Sequence, residues 1–117
     1  MVDVVSVQNR CSLFETTSIV SGLVQHCERA RILFIAYSPL GGRRGHQRLL
    51  ELPQLKALAE KHSCSVHQLG LAFLLNLSRN LLPIPGSRNP DRTIANVEAT
   101  GITLSDADLR MLFTLPK

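Results

Sequence analysis

The chain has no tryptophan, one tyrosine and four phenylalanines among its 117 residues, so its core must be built from Leu, Ile, Val and Ala. Cysteines are few: Cys11, Cys27 and Cys64 form an odd set with no Cys-x-x-Cys spacing. That excludes a disulfide framework and makes a reducing, cytoplasmic setting the expectation. Long hydrophobic runs are absent. The longest, Leu69 to Leu75 with one glycine inside it, falls far short of the roughly 20 residues a bilayer requires. The start, MVDVVSVQNR, lacks the basic and apolar regions of a signal peptide. His26, His46, His62 and His67 share no metal-ligand spacing, so no metal is expected.

What remains is globular in composition, with 44% hydrophobic and 19% charged residues. The length suits one modest domain. A net charge of +4 and a pI near 9.4 suit an anionic ligand, without choosing between a phosphate group, nucleic acid or a merely solvated basic surface.

Hydrophobic patterning predicts a buried strand over Val2–Val7, a helix over Ser18–Ala30 and a second buried strand over Ile32–Ala36, ended by Ser38-Pro39. GGRRGHQR, Gly41 to Arg48, reads as a loop rich in Gly and Arg. Helices follow at Pro53–Lys61 and Val66–Leu77, with Ser65 as a cap for the second. A third short strand covers Leu81–Ile84. Asn89-Pro90-Asp91 opens a helix running to about Ala99, and Ser105 with Asp108 forms a capping-box pattern before a helix over Asp106–Leu115. Alternation of this kind implies an α/β fold of parallel strands with helical crossovers, common to barrels and doubly wound sheets. Three parallel apolar strands leave two open edges and expect cover on both faces. A Met directly against the first strand suggests that preceding structure is missing.

Ligands of parallel α/β folds gather where strands end, which singles out three clusters. They are Gln8-Asn9, then Tyr37-Ser38-Pro39-Leu40-Gly41-Gly42, then Gly86-Ser87-Arg88-Asn89 with Arg92. The third combines a hydroxyl, two guanidinium groups four residues apart and a helix N-terminus, which together favour a phosphate.

In order, DVVSVQNRCSLFE, FIAYSPLGG, LPQLKALAEKHSCSVHQLGLAFLL, LLPIPGSRNPDRTIANVEA and ITLSDADL resemble the last three βα units of the aldo/keto reductases. The joint signal is AYSPLG followed by IPGSR and Asn, and the resemblance covers nearly the whole chain. It implies that residues 1–117 are the C-terminal portion of a (β/α)8 TIM barrel, strands six to eight with their helices, and that the N-terminal units are absent. It also implies NADP(H) as cofactor. Gln8 would bond the nicotinamide carboxamide and Tyr37 would stack on the nicotinamide ring. Ser38, Pro39, Leu40 and Gly41, with Gly42, would line the pyrophosphate path. Ser87, Arg88 and Arg92 would take the 2′-phosphate, Asn96 would reach the adenine, and Arg43 or Arg44 could clasp the pyrophosphate. Cys11 stands where the family usually has Tyr, and Ala95 where it usually has Glu or Gln. The family's Asp, Tyr, Lys and His tetrad belongs to earlier strands, so no catalytic residue is assigned. A small carbonyl substrate is expected only in a complete barrel, and the chain alone is expected to be inactive.

Two other classes of function have some support in the residues. LKALAEKHSCSVHQLGLAFLL has the outline of a helix-turn-helix, but its second helix is apolar nearly all round and lacks a base-reading face. Neither nucleic acid nor membrane is therefore an expected partner. A non-catalytic half-barrel that docks with another chain, or associates with itself through open sheet edges, is the other alternative.

Overall fold

The computed structural model describes residues 2–116, so Met1, read above as abutting the first strand, lies outside the described residues. Its sheet has three parallel strands in the order β1-β2-β3, with β1 at Ser6–Arg10, β2 at Leu33–Tyr37 and β3 at Leu81–Pro83. Ser6 pairs with Leu33 and Arg10 with Tyr37 on one side; Phe34 pairs with Leu81 and Ala36 with Pro83 on the other.

Helical crossovers join the strands. Between β1 and β2 lie α1 (Thr17–Val20) and α2 (Leu23–Arg29); between β2 and β3 lie α3 (Gly42–Glu51), α4 (Pro53–Lys61) and α5 (Val66–Leu75). After β3 come α6 (Pro90–Glu98), a 3-10 turn at Ala99–Gly101 and α7 (Asp106–Phe113).

Three expectations require correction. The first strand is shifted: Val2, Val4 and Val5 are exposed and outside it, because pairing is set by where β2 begins rather than by the valine run. Gln8 and Asn9 consequently lie within β1, not after it. The single helix expected over Ser18–Ala30 is broken at Gly22, which adopts a φ of +87°. The expected loop Gly41–Arg48 is mostly helix, since α3 begins at Gly42. Its Arg48 is not simply solvated: the guanidinium lies 4.6 Å from the Phe14 ring centroid and donates to the Pro116 carbonyl.

The core sits on one face of the sheet. Phe34 and Ala36 point into it from β2, and α5 contributes an unbroken buried segment, Leu69 to Leu74. Burying each large side chain contributes about 1.5–3 kcal/mol, which outweighs the roughly 1 kcal/mol cost of Gly70 within that helix. Alternation sends Leu33, Ile35 and Tyr37 to the opposite face. There Leu33 and Tyr37 are 38% and 40% exposed and Leu82 46%, so only one face has the cover expected for both.

Polar side chains fix the connections. Asn76 donates to the carbonyls of Ala72 (2.7 Å) and Ile102 (2.9 Å) and accepts from the Leu104 N–H (3.1 Å), pinning the segment before α7 to the end of α5. Ser105 and Asp108 form the anticipated capping box on α7. The Asp108 carboxylate, 7% exposed, also meets Lys61 Nζ at 3.1 Å and His62 Nε2 at 3.0 Å, anchoring α7 to the end of α4. Burial alone would raise this carboxyl. Hydrogen bonds from Ser105, His62 and Lys61 prevail and hold it well below the usual carboxylate range.

Because folding lowers the Asp108 value, its contribution is complete above the unfolded value of about 3.9 and is lost as the pH falls below it. Asp108→Asn is expected to lower stability near pH 7 by about 2 kcal/mol and to flatten the loss as the pH falls below about 4 in urea titrations. A variant with unchanged midpoint and acid dependence would refute the anchoring role.

Candidate functional site

The turn leaving β2 begins with strained backbone. Ser38 has a φ of +47°, and Gly41 and Gly42 have values of +84° and +68°. This sharp reversal starts α3 directly above the strand end, with Gly41 as its N-terminal flanking residue. Leu40 between them is buried and packs closely on two helices. A Cβ at Gly45 of α3 would overlap the Leu40 carbonyl, and one at Gly70 of α5 would lie 2.8 Å from Leu40 Cδ2.

Two adjoining cavities open from this turn. The larger, about 380 Å³, lies between Ser38–Leu40, the first turns of α3 (Gly42, Arg43, His46) and the end of β3 (Ile84–Gly86). The smaller, about 120 Å³, lies between the start of α5 (Ser65, His67, Gln68) and one side of α6 (Arg92, Ala95, Asn96). Leu40, His46 and Gly86 line both, so the two form one bent groove.

The groove thus gathers Ser38, Pro39, Leu40, Arg92 and Asn96 among the residues singled out from sequence. Gly41 lines neither cavity and Arg43 lines the larger one; Arg44 is exposed elsewhere on α3. Gln8 and Tyr37 line neither cavity. They share the uncovered sheet face instead, since Gln8 pairs with Ile35, two residues before Tyr37. Ser87 and Arg88 are exposed at the rim. The Ser87 hydroxyl is engaged by its own loop, donating to the Asn89 carbonyl at 2.9 Å and accepting from the Asn89 N–H at 3.3 Å. Asn89 caps α6 by accepting from the Asp91 N–H at 2.8 Å.

Sequence reasoning missed three wall residues. His46 and His67 stack obliquely, ring centroids 5.1 Å apart. Gln68 completes the capping box of α5 with Ser65, accepting from the Ser65 N–H at 3.0 Å, and its Nε2 donates to the Ala95 carbonyl at 3.0 Å and approaches Glu98 at 3.4 Å. The Ser65-x-x-Gln68 pattern was the available signal for this.

Electrostatically the groove is positive. Burial, then His46, then Arg92 hold the His67 imidazole below its ordinary value. Arg10 adds a guanidinium nitrogen against the start of α3, 3.2 Å from where a Cβ on Gly42 would stand. The helix N-terminus itself contributes unpaired N–H groups. Nucleophilic chemistry is disfavoured at two thiols: burial and then Glu15 push the buried Cys11 up to about 11, and burial raises the half-buried Cys64. No group of three or more metal-ligating side chains occurs among the described residues.

The positive, helix-flanked groove lies at the C-terminal rim of a parallel α/β sheet, the place where ligands of such folds gather. A sequence profile described as "Aldo/keto reductase family" matches residues 1–115, and the chain belongs to that family. It is 36% identical over 101 residues to "Aldo-keto reductase family 1 member A1" of Mus musculus, covering 81% of this chain and 30% of that protein. It is 34% identical over 104 residues to "Probable NAD(P)H-dependent D-xylose reductase xyl1" of Arthroderma otae, covering 80% and 31%. The chain therefore spans about a third of the length of the curated relatives it matches. A crystal structure of an aldo/keto reductase from Klebsiella pneumoniae with NADP and acetate superposes with a TM-score of 0.80 at 26% identity, covering 92% of this chain and 38% of that one. Aldose reductase from Giardia lamblia gives 0.78 at 28% identity, covering 95% and 36%. The fold is accordingly part of a TIM barrel, as the family resemblance implied.

Gln68→Ala removes both half of the α5 cap and the tie to α6. It is expected to cost about 1–2 kcal/mol in chemical denaturation and to speed hydrogen exchange at the start of α5. Unaltered exchange at Gln68 and Leu69 would show that the box does not hold this end.

Proposed function

We propose that the chain is the cofactor-binding part of an NADP-dependent aldo/keto reductase, residues 1–117 supplying strands six to eight of the barrel with their helices. The observation that carries this reading is the bent groove joining the N-terminus of α3 to Arg92 and Asn96. NADP in the Klebsiella pneumoniae relative supports the cofactor class. The pyrophosphate would lie along Ser38, Pro39, Leu40 and Gly41, near Arg43. Arg92, joined from the rim by Ser87 and Arg88, would take the 2′-phosphate, and Asn96 would bond the adenine. Ala95 leaves room beside that base but gives up a side-chain hydrogen bond, a loss of about 1 kcal/mol. Gln8 and Tyr37 would meet the nicotinamide on the uncovered sheet face.

The cofactor supplies hydride for reducing an aldehyde or ketone; the residues here bind and orient it. Proton transfer falls to the tetrad of the earlier strands, and the small carbonyl substrate to the complete barrel. The reading includes a cytoplasmic setting, in keeping with three free thiols. It gives nucleic acid no role, a reading supported by the burial of Leu69–Leu74 in α5, the helix that would have to face the bases.

NADPH titrated into the full chain, followed by nicotinamide fluorescence, is expected to bind more tightly than NADH. Arg92→Ala should weaken NADPH by about tenfold or more, the scale of one charged hydrogen bond, with little effect on NADH. No carbonyl-dependent NADPH oxidation is expected. Absence of binding at millimolar NADPH would overturn the cofactor assignment, and steady turnover abolished by Arg88→Ala would overturn the inactive-fragment assignment.

A second reading is favoured by the exposed Leu33, Tyr37, Leu82 and Ile84, which leave the sheet's other face apolar and bare. In it, this face pairs with another chain or a second copy. Size-exclusion chromatography with light scattering should then give a dimer or larger species at micromolar concentration. A well-behaved monomer would remove the motive for this reading.

A further inference from the structure

His46 and His67 sit where the two arms of the groove meet, and the proposed roles of Arg92, Asn96 and the Ser38–Gly41 turn leave both unassigned. His46 projects from α3 and lines both cavities; His67 projects from α5 and lines the smaller one. Their rings are 5.1 Å apart and inclined by 38°, and both residues are half-buried. Two imidazoles this close cannot both be charged without cost, unless an anion lies beside them. Arg92 on α6 faces the same space and raises that cost.

We propose that the His46–His67 pair is a proton-dependent recognition element for a phosphorylated nucleotide, strengthening its binding as the pH falls. The proposal rests on the nucleotide-groove reading above and adds a regulation to it. The charged and titratable groups around the pair are Arg43 on α3, Arg92 on α6, and Glu98 on α6, the last held 3.4 Å from Gln68 Nε2. The balance is positive, and it acts with burial to keep His67 neutral near pH 7 when no anion is present. A phosphate dianion in the groove reverses the balance. It offsets Arg92 and His46, so the imidazole gains a proton in the complex that it lacks in the free chain. Binding that takes up a proton tightens as protons become available. The sign is therefore fixed: affinity rises from pH 8 toward pH 6 and levels off once His67 is charged without ligand.

The probe is 2′,5′-ADP, titrated calorimetrically into the full chain and into His67→Gln and His46→Gln variants between pH 8 and pH 6. The phosphate monoester also ionises near pH 6, so the quantity read is the difference in slope between wild type and variant. Wild type is expected to gain about tenfold more affinity than His67→Gln over this range, which corresponds to an average uptake of about half a proton across the two pH units. At pH 7, heats in two buffers of different ionisation enthalpy should show proton uptake by wild type and less by either variant. Thermal melts establish that the variants are folded. Parallel pH slopes and equal proton uptake in all three proteins would overturn the proposal while leaving the groove assignment standing. Failure of wild type to bind 2′,5′-ADP at any pH would remove both.

Discussion

Leu40 is wedged between two helices, and the shape of the groove depends on how closely they can approach it. Its carbonyl lies where a side chain at Gly45 would begin, and its Cδ2 lies against Gly70. Interiors pack like crystals and tolerate few adjustments of even one methyl group. The two glycines let α3 and α5 close on the turn that leaves β2. That approach brings His46 beside His67 and the start of α3 above the strand end. Without it, the two cavities would have no common wall. The shape of the groove is thus a by-product of where a leucine could be buried.

The two faces of β2 divide the work. Phe34 and Ala36 are buried against helices, while Leu33, Ile35 and Tyr37 point the other way. Alternation with a period of two keeps the residues that hold the fold separate from those facing the proposed nicotinamide end. The same division explains an apolar surface on a protein of this size: that face lies on the inside in a closed barrel.

Much of this was legible in the residues. Asn89-Pro90, Ser65 and Ser105 marked helix starts because their side chains satisfy N–H groups locally, a contest decided within four residues. Where tertiary contacts decide, local patterns misled. GGRRGHQR has the glycines of a loop, but Leu49 and Gly45 are buried, and docking on Leu40 and α5 makes a helix of it. The Val2–Val5 run has high strand propensity yet lies outside β1: β2 begins only at Leu33, whose N–H donates to the Val5 carbonyl, so the pairing starts there. Reading strand ends pointed to Ser38–Leu40, Gly86 and Arg92, which line the groove, but also to Gln8 and Asn9, which lie within β1 and line neither cavity. The histidine pair could not be found this way: residues 46 and 67 become neighbours only after α3 and α5 pack, and nothing in their separation along the chain announces it.

Gln68 has a consequence for how this groove can change over time. One amide side chain closes the cap of α5, grips the Ala95 carbonyl and forms part of the smaller cavity's wall. Cleft width, helix integrity and the spacing of α5 from α6 are therefore pleiotropic outputs of a single codon. A lineage drifting toward a different groove shape cannot vary this position for one trait without disturbing the other two. Its accessible route to new specificity runs through Ala95 and Asn96 on the facing helix, where a substitution alters the lining and leaves the amide's grip on the backbone intact.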